Sequence, residues 1–511
     1  MLSAVPRHLP AAILLVSLLL RLALAAQGGQ YFFGDEGRYD RGLQLYRALA
    51  AADFSGVSTI LAQPEHALFP WVGALVTAAQ HTLAHLTPFG NWSHPENIGF
   101  TIGIAAAVLS LFSTLNLLLL HRLALRAGAS PEEAAWALLL MAAANSAFYF
   151  SRHLLPYDCA LTAGLAALVV ALGRPTLPRA WVAGLLTGTT YHLYNGYWFL
   201  VPVLTGVIAL AWRNQPARSR LTVAAATGLL LALATPVALG ALLGGANYWA
   251  TLGAFSRSVT QGLFAEGWSL PWEYFWHAEG LLGAGLALVV TLALFSALRT
   301  REPLPDRVRV TLLALAAAYA LLVAASCGFA RLVVYARTLK PLVPALCLLG
   351  GWAVARLVAP RPILKPCFAA ALVLAAALHF APHFTRVFPR EIELALLRAW
   401  GNPKHALTIA GSLYIPLALP VTRPDLALVN AQVLYPARAA LPPPAGTTLL
   451  RFDHPLAYPP FQYEGHTPRE RALLRTTDLS ICLIRLAAPA TVPDHPPPDL
   501  LYRNADRPTG R

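Results

Sequence analysis

The chain has 511 residues, of which 57% are hydrophobic and only 12% charged, with a formal net charge of +14. A soluble domain usually carries about a quarter charged residues, so a soluble globular fold is excluded. The mean hydropathy is +0.55, and the apolar residues fall into repeated runs near the roughly 20 residues that span a bilayer, which points to a polytopic helical membrane protein. A β-barrel would alternate apolar and polar residues, and these runs do not.

The excess of basic residues is no nucleic-acid signal, because the arginines concentrate in short loops between apolar runs. The five cysteines lie mostly in or beside apolar runs and show no metal-ligand spacing, so neither a disulfide framework nor a zinc site is expected.

Residues 1–26 imitate a secretory signal, with Arg7, the apolar stretch Ala11–Leu20 and the small residues Ala23-Leu24-Ala25. An uncleaved first helix suits the rest of the chain better. Spans are predicted at 10–26, 98–120, 134–150, 158–173, 180–192, 197–212, 221–243, 280–298, 310–327, 341–358 and 367–382, eleven in all. Arg122 and Arg126, Arg174 and Arg179, Arg213 to Arg220, Arg299 to Arg309, and Arg356 to Lys365 then fall in loops on one side, which is therefore the cytoplasm. The N-terminus is placed inside and the C-terminal part outside.

Just past the first span stands Gly34-Asp35-Glu36-Gly37-Arg38-Tyr39. Acids beside hydrocarbon are costly and usually have work to do, although a solvated pair is the plainer alternative. Neighbouring residues point different ways, so Asp35 and Glu36 are not expected to act as one dyad. An amphipathic helix is predicted near 38–52. Residues 66–86, which include His66, are apolar enough to be a span, but counting them as one would put every later arginine loop outside. They are read as a helix on the outer membrane face.

The fifth and sixth spans are short and meet at Tyr191-His192-Leu193-Tyr194-Asn195-Gly196-Tyr197, a hairpin whose polar tip faces outward. The segment 244–279 is read as an external loop rich in aromatic residues, either an interfacial belt or a lid over substrate. Ser151-Arg152-His153 through Tyr157-Asp158 also falls outside. Asp158 either caps its helix or orients an acceptor or metal, and Arg152 is a candidate for phosphate.

Arg331, Arg337 and Lys340 lie outside, just before the tenth span, where every other basic cluster is cytoplasmic. An external basic group calls for an anion, and arginine forks suit phosphate. Ordinary anionic lipid, or pairing with Glu266 or Glu279, is the alternative. After residue 384 the spans stop and prolines crowd in. Strands are predicted at 408–410, 426–429, 447–452 and 479–486, giving a small external α/β or α+β domain over 384–492, with a disordered tail over 493–511.

A first span followed by Asp35-Glu36-x-Arg38-Tyr39 and an external amphipathic helix resembles the GT-C membrane glycosyltransferases. The nearest types are the family-39-like enzymes, protein O-mannosyltransferases and lipid A aminoarabinose transferases. Ser151-Arg152 to Asp158 resembles the superfamily's second external acidic motif, and Arg337–Gly351 its late Arg/Pro-rich span. The order of features agrees over 1–382. The resemblance implies a polyprenyl-phosphate sugar as donor and transfer to an acceptor lipid, glycan or protein on the external face of a bacterial inner membrane. It implies Asp35 as general base, Glu36 beside it, and Asp158 as the second acidic position. Arg331, Arg337, Lys340 and Arg152 would hold the donor phosphate. Arg38, Tyr39, His66, His153, Tyr157, His192, Tyr194 and Asn195 would line the cavity. A divalent metal is compatible with the external histidines but not required, and nucleic acid is not a partner. A transporter or flippase of lipid-linked sugars is the alternative in another class; transporters tend to place charged or broken-helix sites near the midplane, often with inverted repeats, whereas here the charges gather on one external face and the mid-span positions are bland.

Overall fold

The computed structural model describes residues 8–26, 37–86, 98–243, 248, 250–254, 270–329, 336–358, 360–385, 407–410, 448–452 and 481–485. The helices are α1 (Leu9–Ala26), α2 (Gly37–Ala50), α3 (Phe54–Leu61), α4 (Phe69–Leu86), α5 (Ile98–Arg126), α6 (Pro131–Ala143), α7 (Asn145–Tyr149), α8 (Tyr157–Ala171), α9 (Leu177–Leu193), α10 (Leu200–Ala211), α11 (Arg218–Leu242), α12 (Leu270–Thr300), α13 (Asp306–Val323), α14 (Ala336–Leu339), α15 (Leu342–Leu357) and α16 (Leu364–Thr385).

Every predicted span coincides with a helix. Length and apolarity alone, however, let five of them cross a membrane, or six if the bent pair α6–α7 counts as one crossing. Helices α8, α10 and α15 are apolar but shorter, so eleven full crossings exceed what the helix lengths give. The chain is an integral membrane protein. Two corrections concern the external segments. Helix α3 went unpredicted, although Asp53 caps it through its carboxylate and the Gly56 N–H at 3.0 Å. The segment 244–279 is not all loop, because α12 begins at Leu270.

The predicted surface helix over 66–86 is α4, which packs mainly on α2 and also touches α5. A Cβ on Gly42 would lie 2.5 Å from the Gly73 Cα, so only glycine lets these backbones cross so closely. The same device joins α9 to α11, where a Cβ on Gly228 would lie 2.1 Å from the Trp181 carbonyl oxygen.

Charge sorts the two ends of the bundle. At one end the loops named by the arginine pattern are tied together by ion pairs. Arg307 meets Glu133 at 2.9 Å, Lys365 meets Glu132 at 2.7 Å, Arg213 meets Asp306 at 2.7 Å and Arg356 meets Glu302 at 2.6 Å. The arginine loops therefore share one face, as the sequence expects. Helix α6 starts on this face with Ser130 accepting from the Glu133 N–H, Pro131 behind it and two acids in the first turn.

Toward the other end the helices break. The α6–α7 pair bends by 61° at Ala144. The N–H groups freed at the start of α7 go to the Glu279 carboxylate, at 2.7 Å from Asn145 and 3.1 Å from Ser146. At the far end of α7 the Ala147 carbonyl accepts from Ser113 Oγ at 3.0 Å and from buried Arg21 at 3.5 Å. An acid at the N-terminus and a base at the C-terminus suit the dipole of this short helix. Glu279, one of the two acids offered as an alternative partner for the external basic cluster, thus gives its hydrogen bonds to α7 while also feeling the charge of Lys340. Beside it α12 kinks at Gly280, whose φ of +52° favours glycine.

Strands β1 (Leu407–Ala410), β2 (Thr448–Phe452) and β3 (Ile481–Arg485) form a mixed sheet in that order, β1 parallel and β3 antiparallel to β2. Three of the four predicted strands are these; the one at 426–429, the rest of the predicted C-terminal domain and the predicted tail lie outside the described residues.

Candidate active site

The hairpin tip is the hub. Helix α9 stops at Leu193, Tyr194 is extended, and Asn195–Tyr197 form one tight turn before α10. Tyr194 is buried, and five side chains surround it, four of them from distant parts of the sequence. Tyr157 and Tyr197 present their rings edge-on at 4.8 Å each. His66 stacks on it at 5.1 Å, and the Arg38 guanidinium lies over its ring at 5.6 Å. Arg337 donates from Nε to the Tyr194 hydroxyl at 3.1 Å, and the Tyr197 hydroxyl donates to the Arg337 carbonyl at 3.1 Å. Two guanidinium groups are thereby set against one phenol, one over its face and one at its rim.

A second group continues from the first through aromatic rings. Tyr157 packs edge-on against Phe150 at 5.4 Å, and the Lys340 ammonium lies 5.1 Å from the Phe150 ring centre. Lys340 Nζ pairs with Asp158 Oδ1 at 2.7 Å, and Asn116 donates to the same oxygen at 3.1 Å. Both charged side chains are deeply buried, 1% and 9% exposed. Burial pushes the Lys340 pKa below the usual lysine value, against the opposing pull of Asp158. Asp158 does not cap its own helix: its carboxylate goes to Lys340 and Asn116. Lys340 in turn has a built-in counter-ion, which weakens its predicted part as a phosphate ligand.

His66 is held unusually well. Its backbone φ is +49°, an uncommon conformation for a residue with a Cβ. Its N–H donates to Asn195 Oδ1 at 2.7 Å, and the Asn195 N–H donates back to His66 Nδ1 at 3.0 Å. Accepting at Nδ1 leaves the proton on Nε2, which is buried and has no hydrogen-bond partner among the described residues. Burial first, then the charges of Arg38, Arg41 and Arg337, hold its pKa well below the ordinary histidine value. The ring is neutral at physiological pH. Arg41, which the sequence reading passed over, fixes the turn before it by donating to the Glu65 carbonyl at 2.6 Å and the Gln63 carbonyl at 3.3 Å.

Other predicted site residues make the following contacts among the described residues. Arg152 is buried and donates to the His383 carbonyl at 2.6 Å, and His383 Nε2 lies 2.8 Å from Asn145 Oδ1. His153 tilts onto Tyr149 at 4.6 Å; burial, then Arg152, His383 and Lys340, keep its pKa well below the usual value. His192 Nε2 donates to the Leu233 carbonyl at 3.1 Å, in the turn of α11 that Pro236 disturbs. The Tyr39 hydroxyl lies 3.2 Å from Thr77 Oγ1 inside the α2–α4 contact, and burial raises its pKa to about 12. Asp35, Glu36 and Arg331 lie outside the described residues. Among the described residues no three His, Cys, Asp or Glu side chains gather as a metal site would require.

Sequence reasoning missed Asn116, Phe150, Tyr197, Arg41 and Arg21. Asn116 and Arg21 carried a readable signal, since each interrupts an apolar run and polar groups within a membrane are rarely idle. Phe150 and Tyr197 carried none, because aromatic residues are common in such helices.

No protein-family profile matches the sequence, and no curated protein matches it. Solved structures match by fold, among them two of one protein. The crystal structure of ArnT from Cupriavidus metallidurans bound to undecaprenyl phosphate matches with a TM-score of 0.54 and 14% identity, covering 86% of this chain and 92% of that one. The apo structure of the same protein gives 0.54 and 15%, covering 91% and 94%. The chain shares the fold of this ArnT over most of its length.

Proposed function

We propose that the protein is a membrane glycosyltransferase that moves a hexosyl or pentosyl group from a polyprenyl-phosphate donor to a hydroxyl or amine acceptor. One observation carries this reading: Arg38 and Arg337, with neutral His66 between the elements that bear them, meet around Tyr194 at the end of the bundle away from the arginine-loop ion pairs. Two cations, Arg337 buried and Arg38 partly buried, in an aromatic wall at a membrane face suit a lipid phosphate. The shared fold adds support, because the ArnT crystal structure holds undecaprenyl phosphate. By the arginine pattern this end is periplasmic in a bacterial inner membrane.

Asp35 is the proposed general base. It stands three residues before Arg38, so their Cα atoms are at most about 11 Å apart by covalent reach. The acceptor O–H or N–H gives its proton to Asp35 as the heteroatom attacks the anomeric carbon. The bond from that carbon to the phosphate oxygen breaks, its electron pair stays on the phosphate, and the configuration inverts. Arg38 and Arg337 offset the charge that develops on the leaving phosphate. Asp158 and Lys340 neutralise each other and anchor the start of α15, just after Arg337.

The transporter reading gains broken helices from the fold, at Ala144 and Gly280. It loses the open ion site such breaks usually make, since Glu279 occupies the freed N–H groups of α7. Purified protein, given labelled polyprenyl-phosphate sugars and a mixture of envelope acceptors, should transfer label. Asp35→Asn should abolish transfer with expression intact. Full transfer by that variant would remove Asp35 as the base, and no transfer by the native protein from any such donor would remove the enzyme class.

A further inference from the structure

We infer that His66 and Asn195 form a two-way neutral clamp that docks the external helices α2–α4 onto the hairpin tip, and so sets Arg38 against Arg337 across Tyr194. The inference rests on the proposed function only for the use of the two arginines, not for the clamp itself.

Four observations carry it. Each residue both donates to and accepts from the other, at 2.7 and 3.0 Å, so neither can shift without losing both bonds. The His66 backbone is held at a positive φ, a conformation that is costly for a residue with a Cβ and persists only where surroundings impose it. Both partners are tied to their own elements: Asn195 Nδ2 donates to the Tyr191 carbonyl at 3.1 Å, and Arg41 pins the two carbonyls ahead of His66. One backbone–backbone bond crosses the same boundary nearby, from the Leu68 N–H to the His192 carbonyl at 3.1 Å.

The clamp explains why a neutral histidine stands among cations. A protonated ring would carry a hydrogen on Nδ1, where the Asn195 N–H already donates, and would face Arg38, Arg41 and Arg337. A lysine or arginine there would bring charge but no acceptor for that N–H. His66 and Asn195 are therefore positioning residues. They act on the donor phosphate through the arginines that they hold in place.

The test measures docking and transfer separately. In a variant with the five cysteines replaced, cysteines are introduced at Ser55 on α3 and Thr205 on α10, both exposed, and spin-labelled. Pulsed dipolar spectroscopy should give one narrow distance. His66→Phe keeps the stack on Tyr194 but loses the Nδ1 acceptor, and Asn195→Leu loses the Oδ1 acceptor; each should broaden the distance distribution. Asn195→Asp retains both clamp bonds but gives up the Nδ2 donor to the Tyr191 carbonyl, and should give a distribution narrower than that of Asn195→Leu. In transfer, the first two variants should raise KM for the lipid donor about tenfold with a smaller effect on kcat, as misplacement of binding groups predicts, and Asn195→Asp should recover most of it. A distance distribution unchanged in both His66→Phe and Asn195→Leu overturns the clamp, whatever happens to transfer. If the distances respond while the native protein transfers no sugar, the clamp stands and the transferase reading falls.

Discussion

The two ends of this bundle handle charge in opposite ways. At the arginine-loop end the pairs are wet: Arg213 and Asp306 are 41% and 58% exposed. At the other end Lys340 and Asp158 are 1% and 9% exposed, and Arg337 and His66 are buried with them. Exposed pairs contribute little to stability and are tolerated almost anywhere. Buried ones require partners, fixed geometry and a reason to be kept. The contrast separates loops that set orientation from side chains that build a site.

The largest expected effect falls on the buried pair. Lys340→Met leaves the Asp158 carboxylate uncompensated in the interior and should cost about 3–5 kcal/mol. Adding Asp158→Asn to it should recover most of that loss. Thermal unfolding of the single and double variants in detergent checks this, and a double variant as unstable as the single would mean that the two groups are not each other's main partner.

Next comes Arg337→Gln. The Tyr194 contact is then weakened, and one of two cations opposite the proposed leaving group is gone. Transfer should fall about a hundredfold or more, in line with the loss of one preorganised donor, about 3 kcal/mol of transition-state stabilisation. A fall no larger than that of an exposed arginine such as Arg213 would take Arg337 out of the site.

Acid separates the two ends by another route. His66 and His153 have folded pKa values well below 6.5, through burial first and neighbouring cations second. Their contribution is complete above about pH 6.5, where both states are neutral, and is lost as pH falls below it, because the unfolded chain takes up protons that the folded one refuses. Each histidine should add about 1.4 kcal/mol per pH unit to the slope of stability in that window. His66→Gln should flatten the slope by one proton, read from unfolding free energies between pH 4.5 and 6.5 (a range set by). An unchanged slope would show that His66 titrates normally.

Much of this contrast was legible in the sequence, for unequal reasons. The arginine loops were readable because charge beside a membrane follows a simple rule, and the face they share emerged as expected. Tyr194, Asn195, Arg337 and Asp158 were readable because polar residues clustered where helices had to turn. What they do was not readable. Lys340 looked like a phosphate ligand until Asp158 came within 2.7 Å, and His192 looked like a cavity residue until its Nε2 met the Leu233 carbonyl. Such pairings join residues 41 to 182 positions apart, and only packing decides them. The breaks at Ala144 and Gly280 were hidden for a related reason. No proline marks them, and each is stabilised from another helix rather than by its own sequence.

The smallest effect belongs to the exposed end, and it sharpens the comparison most cleanly. Arg213→Ala removes one partner of Asp306, which keeps a second contact to Arg309 on its own helix. The cost should be below about 1 kcal/mol, and raising salt from 0.1 to 1 M should erase it, since the screening length shrinks from about 10 to about 3 Å. The Lys340→Met penalty should survive the same salt, because ions in solution do not reach a pair that is 1% and 9% exposed. Measured side by side by chemical denaturation at both salt concentrations, the two variants make the difference between the ends a single ratio. If salt relieved the Lys340→Met penalty as well, water would have to reach Asp158, and the site would be an open vestibule rather than a buried wall.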